Sequence, residues 1–274
     1  MKYGKICKAE FIERPNRFVA VVRLKEEGDG NRCGSGTEGQ IVRVHVKNTG
    51  RCRELLVPGA EVILEDFRDR MGSRKMEYSL IAVYKDAADN GSLLINMDSQ
   101  APNAAVREML EEGSPELPGL KYPLSHIKPE AKIGDSRLDF YVEDAGAEER
   151  AEDAAEDAGA EERAEDANRQ KAFIEVKGVT LEDNGIVRFP DAPTERGTKH
   201  LKELQRAAAE GYAAYVVFVI QMDRAEKFEP NAATDPVFAK ELARAADSGV
   251  QVLAYTCRVA ENGMSVKTPI PVNL

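Results

Sequence analysis

The sequence of 274 residues has no tryptophan, only four cysteines and three histidines, and no long apolar run. No cysteine pair has C-x-x-C spacing, so a zinc site built from cysteine and histidine is not indicated. The longest apolar run covers residues 212–220, far short of the ~20 residues that cross a membrane. The first residues contain no apolar block of signal-peptide length. We therefore expect a soluble cytoplasmic protein with no membrane partner and no small organic cofactor.

Acidic residues are concentrated in one segment of the chain. The 38 basic and 48 acidic residues give a net charge of −10, and 12 of the acids lie in residues 143–168. This segment is a tandem duplication of 13 residues without a large apolar side chain, and the rest of the chain holds 36 residues of each sign. The duplication is interpreted as a solvated acidic loop, or alternatively as a DNA mimic lying over a basic groove.

Two regions with different patterns divide the chain near residue 86. The first region has short strands separated by turns, which predicts a small antiparallel barrel. In the second region helices alternate with apolar strands, which predicts an α/β layer with at least one parallel crossover. The helices of this layer are predicted at 102–112, 194–210 and 235–248. The expected fold class is therefore α/β plus all-β, with domains at 1–86 and 87–274.

Charged residues interrupt two apolar strands of the second region. Asp139 stands between two large apolar residues, and Glu175 and Lys177 are two positions apart in another apolar strand. Residues two apart on a strand point to the same side, so Glu175 and Lys177 share a face. A divalent cation that bridges Asp139 and Glu175 would remove the free-energy cost of burying their charges. The alternative is a plain salt bridge between Lys177 and one carboxylate.

This combination of an acid on one strand and E-x-K on the next resembles the PD-(D/E)XK nuclease superfamily. The resemblance implies a catalytic set of Asp139, Glu175 and Lys177 that uses Mg²⁺ or Mn²⁺. It also implies a further metal-binding acid upstream, for which Glu130 is the candidate and Glu108 the alternative. In such a site a metal ion polarises the phosphate and lowers the pKa of a bound water, and Lys177 would position the resulting hydroxide.

A second resemblance extends over nearly the whole chain. It is carried by IEVKGVTL at 174–181, FPDAPTERGTKHL at 189–201, RLDF at 137–140, KNTG at 47–50 and LVPG at 56–59. These segments are similar to the sugar fermentation stimulation protein family, SfsA. The resemblance implies an OB-fold barrel over 1–86 and a PD-(D/E)XK nuclease-like α/β domain over 87–274. It further implies nonspecific DNA binding and a regulatory role in maltose metabolism. The duplication at 143–168 departs from the family pattern.

Two groups of basic residues are the candidates for contacts with DNA phosphates. Residues 1–75 have a net charge of +5, and within them Arg43, Lys47 and Arg51 are expected to follow a nucleic-acid backbone. In the second region Arg196, Lys199 and His200 lie near the start of a predicted helix, whose positive end favours phosphate. An alternative for Arg196 is an ion pair with Asp191 or Glu195.

Two functions follow from these patterns. The first is a DNA-binding enzyme that hydrolyses phosphodiesters at a Mg²⁺ site. The second is a non-catalytic, sequence-nonspecific DNA-binding regulator of sugar metabolism. Because aromatic residues are few and Phe18 is expected in the core, binding mainly through phosphates is predicted for both. The oligomeric state is not predicted by the sequence.

Overall fold

A computed structural model describes residues 1–25, 39–48, 50–87, 91–134, 136–146 and 169–274. Most of the acidic duplication therefore lies outside the described residues, and both interpretations of it stay predictions. None of the helices in the described ranges has the length and apolar character that crossing a membrane requires.

The N-terminal region forms a closed barrel of five strands with a sixth strand added to its sheet. Its strands are β1 (Ile6–Asn16), β2 (Val19–Leu24), β3 (Ile41–Val46), β4 (Glu61–Asp66), β5 (Tyr78–Ala87) and β6 (Gly91–Asn96). The sheet order is β3-β2-β1-β4-β5-β6, and a parallel pairing between β3 and β5 closes the barrel. Alternating apolar residues of these strands, such as Val44 and Leu64, fill its interior.

The C-terminal region is built on a six-stranded mixed sheet. Its strands are β7 (His126–Ile133), β8 (Ser136–Glu143), β9 (Lys171–Val179), β12 (Ala213–Ile220), β14 (Gln251–Ala260) and β15 (Gly263–Pro269). They follow the order β15-β14-β12-β9-β8-β7, in which β9, β12 and β14 are parallel. A small second sheet contains β10 (Leu181–Asp183), β11 (Ile186–Phe189) and β13 (Lys227–Pro230).

Three helices cover the large sheet in the described part of the chain: α1 (Ala101–Glu112), α2 (Glu195–Ala209) and α3 (Pro236–Asp247). The start of α2 is set by Thr194, whose hydroxyl accepts a hydrogen bond from Gly197 N at 3.0 Å. Asp235 caps α3 in the same way and also accepts from Thr194 N at 2.8 Å, which joins the two helix starts.

The two faces of β9 pack against different helices. Ile174 and Val176 contribute to the core beneath α1, whereas Phe173 and Val179 belong to the core shared by α2, α3 and the barrel. The barrel and the α/β sheet therefore share one continuous apolar interior. The face that carries Phe173 is also the face of Glu175 and Lys177, as the strand period of two requires.

Beyond residue 86, the predicted domain boundary, the barrel sheet continues as β6, which pairs with β5 from Ala82↔Asn96 to Ala87↔Gly91. At the end of β6, a polar network fixes the barrel against the large sheet. Asn96 Oδ1 accepts from Gln221 Nε2 at 3.1 Å, and Asp98 Oδ2 accepts from Lys47 Nζ at 2.9 Å. This connection sets where the barrel surface lies relative to the second region.

A buried carboxylate closes the base of the acidic segment. Asp144 Oδ1 accepts hydrogen bonds from Gly146 N and Gln170 N, each at 2.9 Å. Its second oxygen accepts from Lys121 N at 3.1 Å. Asp144 therefore holds together the described residues on either side of 147–168.

We predict that replacing residues 147–168 with a short Gly-Ser turn changes the midpoint of thermal unfolding by less than about 3 °C, because a shorter loop alters closure entropy only slightly. Asp144→Ala should instead lower the free energy of unfolding by at least about 2 kcal/mol, since three backbone N–H groups lose their acceptor. Calorimetry of both variants checks this, and a large loss of stability on replacing the segment would contradict it.

Candidate metal centre

Asp139 lies where β8 separates from β9. The antiparallel register of these strands runs from Glu143↔Lys171 to Phe140↔Ile174. At the next position Val176 N donates to the side chain of Asp139 instead of to a backbone carbonyl of β8, and the distance to Oδ2 is 2.7 Å. Its Oδ1 atom accepts from Asn103 Nδ2, also at 2.7 Å. Each oxygen of Asp139 therefore has one donor and keeps lone-pair capacity for another contact.

Glu175 is buried, with 3% of its surface exposed, and its two oxygens have different surroundings. Lys177 Nζ donates to the Oε1 atom at 2.5 Å, and His200 Nδ1 lies 2.5 Å from the same atom. The Oε2 atom is buried without a hydrogen-bond partner. A buried acceptor without a partner costs about 1–3 kcal/mol, so this oxygen is suited to bind a cation.

The pKa values of the two carboxyls are shifted in opposite directions. Burial raises the pKa of Asp139, and the nearby charge of Glu175 raises it further, against the hydrogen bonds from Val176 and Asn103. Burial also pushes the pKa of Glu175 upward, but the contacts with His200 and Lys177 outweigh it, so its pKa is below the ordinary value. Glu175 is therefore held as the anion, and a cation near both groups would relieve their mutual repulsion.

The donor set fits a hard divalent cation held by two carboxylates. In the described part of the chain, no group of three or more His, Cys, Asp or Glu side chains could hold a metal ion. Mg²⁺ does not require such a cage, because it keeps several waters and uses one or two carboxylates together with substrate phosphates. Asp139 and the unpartnered Oε2 atom of Glu175 are the carboxylate oxygens of this region with capacity for such a contact.

The two upstream acids lie in other contacts. The Glu130 side chain is 80% exposed and its nearest cation is Arg137, with Nη1 3.7 Å from its Oε2 atom. Glu108 binds the N-terminal amine of Met1. Glu130, predicted as a third metal-binding residue, is therefore not held beside Asp139 by any contact between described residues.

The predicted phosphate-binding residues of α2 separate into two groups. Arg196 and Lys199 are exposed, and neither forms an ion pair among the residues that the structure describes. The alternative pairing of Arg196 with Asp191 or Glu195 is thus not found there. His200 is buried against Glu175 instead of lying on the surface. It positions the carboxylate and is not available to a phosphate at the helix surface.

The basic residues predicted on the barrel also differ in their surroundings. Arg43 and Arg51 are exposed. Lys47 turns inward, where its ammonium lies 2.9 Å from Asp98 Oδ2 and 3.5 Å from Glu65 Oε2. Lys47 therefore belongs to the network between the barrel and the large sheet rather than to a surface that follows DNA.

Sequence reasoning did not identify Asn103 or the contact of His200 with Glu175. Asn103 lies in the first turn of α1, 36 residues before the carboxylate that it contacts. His200 is 25 residues after Glu175 and reaches it only because α2 packs on the face of β9 that carries the charge. Neither contact has a local sequence signal, since each depends on how a helix packs on the sheet.

Comparison with known families and proteins agrees with this architecture. A family profile described as the sugar fermentation stimulation protein RE domain matches residues 100–263, and the SfsA N-terminal OB domain matches residues 12–95. This chain belongs to the SfsA family. The family prediction is thereby confirmed, as is the predicted fold class of an OB-type barrel joined to an α/β domain. The nuclease-like character of the second domain stays a prediction.

Relatives within the SfsA family match the chain from end to end. A sugar fermentation stimulation protein homolog from Clostridium beijerinckii is 43% identical over 274 residues, covering 100% of both chains. A homolog from Desulfitobacterium hafniense is 44% identical and covers 100% of this chain and 99% of the relative. A solved structure described as Pyrococcus furiosus SfsA in complex with Ca²⁺ has a TM-score of 0.73 and 25% identity, and covers 100% of this chain and 98% of its own.

The different surroundings of Lys47 and Arg43 give a prediction for this SfsA member. Lys47→Ala leaves Asp98, which is 2% exposed, without its cation and should lower the free energy of unfolding by about 3 kcal/mol. Arg43→Ala, at an exposed position on the same barrel, should change it by less than about 0.5 kcal/mol. Urea unfolding measures both values, and equal effects would show that Lys47 is an ordinary surface residue.

Proposed function

We propose that this chain is a DNA-binding protein with a Mg²⁺-dependent site for phosphodiester hydrolysis. The observation that carries the proposal is the buried Oε2 atom of Glu175, which lacks a hydrogen-bond partner and belongs to a carboxylate whose charge raises the pKa of Asp139. Asp139 and Glu175 would hold the ion, and Mn²⁺ could take the same place. A bound ion of this kind supplies Lewis-acid activation of a phosphate and lowers the pKa of water.

The other residues of the centre would orient these two carboxylates and neutralise charge. Asn103 and Val176 N fix the plane of the Asp139 carboxylate through one hydrogen bond to each oxygen. His200 and Lys177 together fix Oε1 of Glu175 and leave Oε2 free. Lys177 is partly exposed, so its ammonium can also meet a negatively charged phosphate at the mouth of the site.

Support for a cation site also comes from the solved relative. The Pyrococcus furiosus protein is described as being in complex with Ca²⁺. Ca²⁺ and Mg²⁺ are both hard cations that bind carboxylate oxygens, so a site for one is a reasonable template for the other. In the present chain Asp139 and Glu175 would hold such a cation.

Support for DNA as the partner comes from exposed basic residues near the start of α2 and on the barrel. Arg196 and Lys199 are exposed, four residues and one residue before His200, which contacts Glu175. Arg51 is exposed in the turn next to Gly50, and a Cβ atom at Gly50 would lie 2.5 Å from Asp191 Oδ2. The barrel turn and the loop that leads into α2 are therefore in contact, which allows one backbone to pass both groups.

A cleavage assay with matched variants tests the enzymatic proposal. Glu175→Gln removes the negative charge with little change of shape, and should weaken Mg²⁺ or Mn²⁺ binding at least about tenfold and abolish metal-dependent cleavage of plasmid or single-stranded DNA. Glu203→Gln, a change at a buried carboxylate of α2 that pairs with Arg206, is the control and should leave both unchanged. Calorimetric titration measures metal binding, and cleavage that persists with chelator would contradict the proposal.

The contact between Lys177 and Glu175 favours a second candidate function. Because Lys177 Nζ already neutralises Glu175 Oε1 at 2.5 Å, the centre can also be a structural ion pair. The chain would then be a non-catalytic, sequence-nonspecific DNA-binding regulator of sugar metabolism. In that case the protein binds DNA without cleaving it, whichever divalent cation is present. Lys177→Ala then leaves the affinity for DNA unchanged.

The salt dependence of DNA affinity tests the phosphate contacts. If Arg196 and Lys199 each neutralise one phosphate, the double substitution to Ala should reduce the slope of log affinity against log salt concentration by about 2. Arg107→Ala, at an exposed position of α1 on the opposite face of the sheet, is the control. Fluorescence anisotropy with labelled DNA measures the slope, and equal slopes for all three proteins would remove these residues from the interface.

A further inference from the structure

Phe18 is an aromatic side chain on the surface of the barrel. The sequence predicts it in the core, but 46% of it is exposed. In the described part of the chain, the other large apolar residues with high exposure are aliphatic: Ile41, Val57, Val237 and Leu274. The expectation that Phe18 is buried is therefore wrong, because the residue lies in the turn between β1 and β2 rather than in β2 itself.

The turn that carries Phe18 is fixed by hydrogen bonds on both sides. Phe18 N donates to Asn16 Oδ1 at 2.9 Å, and its carbonyl accepts from Val46 N at 2.9 Å. Arg14 donates to the carbonyl oxygens of Arg17 and Asn48, each at 2.7 Å. The ring therefore projects from a backbone that is braced against the neighbouring turn, which lowers the entropic cost of binding.

One guanidinium group lies beside the exposed ring. The guanidinium carbon of Arg17 lies 4.8 Å from the centre of the Phe18 ring. Arg14 also donates to the carbonyl oxygens of Gly50 and Arg51, each at 2.8 Å, so the exposed Arg51 lies on the adjoining turn. An exposed aromatic ring next to Arg17, with the exposed Arg51 on the adjoining turn, is complementary to a base and the phosphates next to it.

We propose that Phe18 is a stacking site for an unpaired base of single-stranded nucleic acid, with Arg17 and Arg51 contacting the adjacent phosphates. This inference rests on the proposed DNA binding and specifies its substrate class. A base inside a duplex is stacked on its neighbours and does not offer its face, so Phe18 selects single strands. A protein partner would not require basic residues on both of these turns.

The absence of tryptophan from the chain permits a direct test, because Phe18→Trp introduces the only indole. Titration with a thymidine oligonucleotide should quench its fluorescence, with the same midpoint as the anisotropy of the labelled oligonucleotide. Val237→Trp, at an exposed position of α3, is the matched control and should show no quenching. Phe18→Ala should weaken single-strand binding about tenfold and duplex binding less than about twofold.

The outcomes separate this inference from the proposed function. Binding of oligonucleotides without quenching of the indole, or equal losses for single strands and duplex in Phe18→Ala, would overturn stacking and leave DNA binding intact. If the unsubstituted protein binds neither form at low salt, both proposals fail. Because Phe18 is half exposed, its substitution should not unfold the barrel, and an unchanged midpoint of thermal unfolding verifies that.

Discussion

The central constraint on this structure is the charge of Glu175, which is buried in the sheet. An isolated carboxylate at this depth would take up a proton rather than remain charged, because burial disfavours the anion. Lys177 and His200 prevent this by contacting one oxygen, and they lower the pKa of the group. The other oxygen remains unsatisfied, so the pair of contacts stabilises the charge without removing its capacity to bind a cation. The arrangement lowers the stability of the fold. If the ion pair served only a structural purpose, apolar residues in its place would avoid this cost.

The polar network around Asp98 imposes a second constraint, because it determines where the barrel lies relative to the centre. Gln221 follows β12 directly, and its side chain donates to Asn96 Oδ1 and to the Asp98 carbonyl, each at 3.1 Å. Lys47 adds a cation from the barrel to the same carboxylate. Since the two regions also share an apolar core, the turn at Gly50 is held against Asp191 without a flexible linker between them. Residues on the barrel and on α2 can therefore contact one extended ligand together.

How much of this could be read from the sequence depends on the range of each interaction. The strand period of two was enough to predict that Glu175 and Lys177 share a face, and the pattern of turns and strands was enough for the barrel and the α/β layer. The contacts of Asn103 and His200 depend on how helices pack on the sheet, which no local pattern encodes. The exposure of Phe18 cannot be predicted from its hydrophobicity, because hydrophobicity alone does not distinguish the last residue of a turn from the first residue of a strand. The contact of Lys47 with Asp98 has no local signal either, because the two residues are 51 positions apart in the chain.

The described residues that flank the acidic segment lie at the start of β9, away from the candidate centre. Asp144 holds the base of the segment beside Lys171, the first residue of that strand, whereas Glu175 is four residues further along. At about 3.3 Å per residue, the base is about 13 Å from the carboxylate, which exceeds the ~8 Å Debye length at physiological salt. A solvent-exposed charge at this distance therefore acts on the centre only weakly. A duplication of strongly acidic sequence can thus be attached here while the hydrogen bonds of Asp139 and Glu175 remain as the sheet and helices define them.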